Sequence, residues 1–112
     1  MRVIAEAGEF MTPTAGQSAT WVEHLRVSDL SAGTYSIPAG GKDEQSPHTE
    51  DEIYIVTAGR AKLTSGGEEA EVRPGAVIYV PAGEVHRFTD IAEGLAVVVV
   101  FAPAEYSRAA EG

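Results

Sequence analysis

Apolar and polar residues alternate with a period of two through most of this chain, as strands do when one face is buried. From Trp21 to Ser28, residues Val22, His24 and Arg26 fall on one face and Trp21, Glu23, Leu25 and Val27 on the other. Thr34 to Pro38 predicts a short strand closing on Ala39-Gly40-Gly41. Glu52 to Thr57, rich in β-branched and aromatic residues, predicts another that stops at Ala58-Gly59. Arg60 to Ser65 and Glu69 to Arg73 flank Gly66-Gly67, a hairpin signal because both glycines tolerate positive φ. Pro74-Gly75 turns the chain into Ala76 to Val80, and Pro81-Ala82-Gly83 turns it into Glu84 to Thr89. Leu95 to Phe101 is apolar on both faces, as a strand covered on both sides should be. No segment sustains a helical period. Phe10 to Ser18 is a predicted loop, and the tail from Glu105 to Gly112 has room for one helical turn.

Roughly eight or nine short strands between Gly/Pro turns predict an all-β sandwich, barrel or jelly roll. A length of 112 residues suits one domain. Its expected parts are an N-terminal strand and loop over 1–20, a barrel over 21–103 and a C-terminal tail over 104–112. There is no cysteine, which removes disulfides and thiolate metal sites. The amino terminus has no long apolar stretch, and the longest apolar run, Leu95 to Pro103, is too short to cross a bilayer as a helix. A soluble, cytoplasmic protein with no membrane partner is expected. The net charge of -9, with no Lys/Arg cluster to offset it, repels phosphate backbones and argues against nucleic-acid binding.

Only three histidines are present, so their places are informative. His48 opens the run His48-Thr49-Glu50-Asp51-Glu52, just before a predicted strand, and His86 lies on a later strand beyond Pro81-Ala82-Gly83. Imidazole and carboxylate suit Fe, Mn, Ni, Co or Zn, and two histidines with one carboxylate leave coordination positions open. His48 and Glu52 can meet across a tight turn, with His86 supplied by a neighbouring strand. Tyr54, two residues after Glu52, should share its inward face, as core or as an acid, base or substrate anchor. Glu50 and Asp51 are expected in a solvated acidic loop. His24 is expected to be an ordinary satisfied side chain.

The segment from Gly41 to Gly59, with His48 and Glu52 inside it, resembles the first cupin motif. Gly75, Pro81-Ala82-Gly83 and His86 resemble the second, with Asp90 where an asparagine is usual. The resemblance implies a cupin jelly-roll barrel holding one divalent transition metal through His48, Glu52 and His86. Ser46 stands where the family places its first histidine, and Gln45 beside it can supply an amide oxygen if the chain bends at Pro47. Small cupins include dioxygenases, isomerases, lyases and cyclases. The expectation is therefore a metal centre acting on a small oxygen-rich organic substrate, with dioxygenase-type chemistry and Tyr54 as catalytic residue. The alternative is a non-catalytic barrel that binds a small molecule. A homodimer is also implied, with the Val3 to Ala7 segment covering an exposed strand edge.

Overall fold

The computed structural model describes residues 1–44 and 47–108. The alternating pattern folds into six strands: β1 (Thr20–Val27), β2 (Leu30–Ile37), β3 (Asp51–Ser65), β4 (Glu68–Val72), β5 (Val77–Val80) and β6 (His86–Ala102). All pairings are antiparallel, in the order β1-β2-β6-β3-β4, with β5 on the other side of the first half of β3. No helix occurs among the described residues, so none is long and apolar enough to cross a membrane. The all-β expectation holds.

Two expected strand pairs prove to be single long strands. Glu52–Thr57 and Arg60–Ser65 are the halves of β3, and Glu84–Thr89 with Leu95–Phe101 corresponds to β6. Gly59 does not end a strand. With φ of +84° it hosts irregularities between Val56 and Lys62, which bend β3 without breaking its pairing to β6. Asp90, with φ of +48°, lies at the matching bend of β6. The first half of β3 therefore sits between β5 and the end of β6, and its second half between β4 and the start of β6. That arrangement brings the early residues of β3 and the first residue of β6 to one interior.

The expected N-terminal strand does not form. Residues 1–19 contain a turn at 5–8 and no strand, so within one chain Val3–Ala7 pairs with no strand edge. The segment docks through backbone donors instead: Gly8 N–H to Thr34 Oγ1 at 2.9 Å and Met11 N–H to Ser36 Oγ at 3.1 Å. In β1 the alternation slips at a bulge between Glu23 and Leu25, where His24 Nε2 meets Thr34 Oγ1 at 2.6 Å. His24 is thus the satisfied side chain expected.

Tyr54, Val56, Leu63, Phe88, Leu95 and Val97 form the heart of the core. Each large apolar side chain so buried contributes about 1.5–3 kcal/mol. The outward residues of β3 and β5 are apolar too. Ile53 pairs with Tyr79 and Ile55 with Val77, and all four are exposed.

Candidate metal centre

The bent β3 carries Glu52 and Tyr54 on its inner face, two residues apart as the pleat requires. His48 precedes that strand in a loop pinned by its own carbonyl, which accepts the Gly83 N–H at 2.8 Å. The same Pro81-Ala82-Gly83 turn leads into His86 at the start of β6, where it pairs with Ser65. One backbone hydrogen bond thus ties together the two histidine-bearing segments. His48, Glu52 and His86 are all buried, and each offers a donor atom within 4.8 Å of the others.

The orientation of His86 is fixed at both nitrogens. Nδ1–H donates to the Glu84 carbonyl at 2.9 Å. Nε2 lies 2.9 Å from Glu52 Oε1 and 2.9 Å from the Tyr54 hydroxyl. A neutral ring with its proton on Nδ1 points a lone pair at a carboxylate oxygen, which is repulsive unless a cation lies between them. The cation is a proton or a metal ion. Burial alone would lower the His86 pKa, but the Glu52 hydrogen bond and the Glu84 carbonyl hold it above the ordinary imidazole value. The other carboxylate oxygen, Glu52 Oε2, is buried with no hydrogen-bond partner among the described residues. Two imidazoles and one carboxylate with an unspent oxygen fit Fe, Mn, Ni, Co or Zn.

Residues 33–102 match the sequence model of the Cupin domain. The chain belongs to the cupin family. It is 43% identical to the uncharacterized protein SCO3923 of Streptomyces coelicolor over 97 residues, covering 87% of this chain and 92% of that one. The double-stranded β-helix protein of Klebsiella pneumoniae superposes with a TM-score of 0.74 at 19% identity, over 92% of this chain and 90% of that one. The DMSP lyase DddQ of Ruegeria pomeroyi superposes with a TM-score of 0.64 at 25% identity. That match covers 68% of this cupin but only 39% of DddQ.

A pocket of about 160 Å³ opens against His48 and Glu52. Trp21, Tyr35, Tyr54, Phe101 and Tyr106 supply its aromatic walls. Phe88 is not part of this lining and packs edge-on to Tyr54 with ring centroids 4.9 Å apart. Gln45 and Ser46 lie outside the described residues.

The acidic loop is not solvated as expected. Glu50 is 1% exposed and accepts from the Thr49 hydroxyl and from the backbone N–H groups of Tyr106 and Arg108, at 2.6 and 3.0 Å for the last two. Burial opposes its ionisation, yet these donors hold the carboxyl below its ordinary range. Asp51 Oδ1 accepts the Ala82 N–H at 2.9 Å and so braces the turn before His86. Two buried acids were missed altogether. Asp43 accepts from the Tyr35 hydroxyl at 2.8 Å and from the Phe88 N–H at 2.9 Å, linking β2 to β6. Glu105, in the turn after β6, places Oε2 3.3 Å from His48 Nδ1, and burial pushes its carboxyl up to about 7. His48, also desolvated, is held below the ordinary imidazole value.

Proposed function

We propose that this cupin binds one divalent transition metal through His48, Glu52 and His86 and converts a small oxygen-bearing organic substrate by dioxygenase-type chemistry. The observation that carries the reading is the buried face-to-face contact of His86 Nε2 with Glu52 Oε1, beside the unspent Glu52 Oε2. When bound, the metal supplies Lewis acidity and, if redox-active, a route for electrons to dioxygen. The chain's own residues do the rest. Trp21, Phe101 and Tyr106 line the approach to the reacting centre, and the Tyr54 hydroxyl, 2.9 Å from His86 Nε2, is the group to give or take a proton. A space of about 160 Å³ is below the roughly 300–1,000 Å³ of drug-sized ligand sites, so the substrate is small.

Tyr54 also favours a second reading, isomerase or lyase chemistry, in which proton transfer replaces oxidation. The 25% likeness to the DMSP lyase DddQ points the same way. Elemental analysis and oxygen uptake separate these readings. Freshly purified protein is expected to carry one Fe, Mn, Ni, Co or Zn per chain, and to consume oxygen with diketone, catechol or thiol probes. Turnover that persists without oxygen selects the lyase or isomerase reading, and tight binding without turnover selects a non-catalytic barrel. Near-zero metal that persists after all five ions are added back sinks the metal centre itself. Tyr54→Phe is expected to keep the metal while slowing turnover by about 10²–10⁴-fold, the usual worth of a positioned acid or base.

The expected homodimer has a natural surface in the outward face of Ile53, Ile55, Val77 and Tyr79. In a chain of net charge -9, an uncharged apolar face is where two copies can meet with least repulsion. Sedimentation is expected to give twice the chain mass of 11.8 kDa. Ile53→Glu should shift it to one chain mass with the metal content unchanged, whereas a wild type sedimenting as a single chain excludes the dimer.

A further inference from the structure

We propose that Glu105 is a positioning residue for the metal centre, holding His48 through Nδ1 so that the ring presents Nε2 to the metal. The inference rests on the metal reading above, but its observations are separate. Glu105 lies beyond residues 33–102, the span that matches the family, and outside both histidine motifs. Its carboxylate is not among the donors that gather within 4.8 Å, and its Oε2 faces the Nδ1 side of the His48 ring.

The segment that delivers Glu105 is tied down more firmly than a chain end requires. Its N–H donates to the buried Ser31 Oγ at 2.8 Å, and its carbonyl accepts from Arg26 Nη1 at 2.9 Å. Beyond it, Glu50 spends both carboxylate oxygens on the backbone of Tyr106 and Arg108. Tyr106 takes a left-handed φ of +63°, and its ring lies over His48 with centroids 5.7 Å apart. These contacts all bring Glu105 Oε2 to 3.3 Å from His48 Nδ1, an ion-pair distance that a turn of the ring would close to a hydrogen bond.

A carboxylate only 8% exposed needs a strong donor close by. The ring N–H of a metal-bound imidazole is such a donor. A carboxylate in that place fixes the tautomer and the ring plane, and raises the basicity of the ligating nitrogen. On this account His48 reaches the metal already oriented, as His86 does through the Glu84 carbonyl.

Titration of the metal-free protein with Co²⁺ against a competing chelator tests the assignment. Glu105→Ala is expected to weaken Co²⁺ binding by about 10–100-fold, the usual effect of losing such a partner. It should also change the visible Co²⁺ spectrum. Glu105→Gln keeps an acceptor oxygen and should lose less. The metal-free unfolding midpoint of Glu105→Gln is expected to stay level or rise, because a buried carboxylate has been neutralised. Wild-type affinity and spectrum in both variants, with a lowered metal-free midpoint, would mean a purely structural role and overturn the proposal. If wild type and His86→Ala differ in Co²⁺ binding while Glu105→Ala matches wild type, this inference alone fails. If wild type and His86→Ala both bind nothing, the metal centre fails with it.

Discussion

With His86 replaced by alanine, the protein is expected to lose its stoichiometric metal and to lose about 3–5 kcal/mol of metal-free stability as well. The first loss follows because one of three donors is gone, and should exceed the roughly 10–100-fold penalty for removing a supporting hydrogen bond. The second follows from what is left behind. Glu52 is 2% exposed, and its Oε1 meets the His86 ring at 2.9 Å. Removing the ring strands a buried carboxylate, which costs far more than the pair itself contributes. Against a typical domain stability of about 5–15 kcal/mol, that loss is large. Glu52→Gln should cost less, since its amide can donate to the Nε2 lone pair. The double variant carrying Glu52→Gln and His86→Ala should then regain most of what His86→Ala loses. Urea unfolding of the four proteins in chelator closes the cycle. Equal losses for His86→Ala and the double variant would show that the stranded Glu52 side chain is not the source of the loss.

The three donors were legible in the sequence because local rules place them. The period of two sets Glu52 and Tyr54 on one face, and the Pro81-Ala82-Gly83 turn announces the strand of His86. What escaped depends on partners far along the chain. Glu50 looks solvated beside Thr49 and Asp51, yet its hydrogen-bond donors include backbone groups 56 and 58 residues away. Glu105 looks like tail until Ser31, 74 residues earlier, is seen to hold its backbone. The split of β3 and β6 has a different origin. A glycine that ends a strand and a glycine that bends one both need positive φ, so Gly59 carries the same local signal either way. Only the continued pairing of β3 with β6 distinguishes them.

That ambiguity makes Gly59→Ala the most informative backbone substitution. Gly59 and Gly67 have nearly identical φ, +84° and +83°, so a side chain at either meets the same conformational cost, about 1–2 kcal/mol for a left-handed residue. Their surroundings differ completely. A Cβ at Gly67 meets nothing within 4 Å, whereas one at Gly59 falls 2.2 Å from the Gly94 carbonyl oxygen and 2.6 Å from its carbon. Those atoms are backbone and cannot rotate aside. Relief requires β3 and β6 to separate between Ala58↔Ala96 and Arg60↔Glu93, the pairs on either side of the bend. Gly59→Ala is therefore expected to cost at least about 3 kcal/mol, with Gly67→Ala near the conformational value alone. The effect should reach the metal site, because Glu52 lies on one side of the bend and the Ser65↔His86 pair on the other. Weaker metal binding in Gly59→Ala, measured where the variant is still fully folded, would show that the bend sets the spacing of the donors. Equal urea midpoints for Gly59→Ala and Gly67→Ala would show instead that the two strands slide apart freely. In that case the close approach of Gly59 to Gly94 would hold nothing in place.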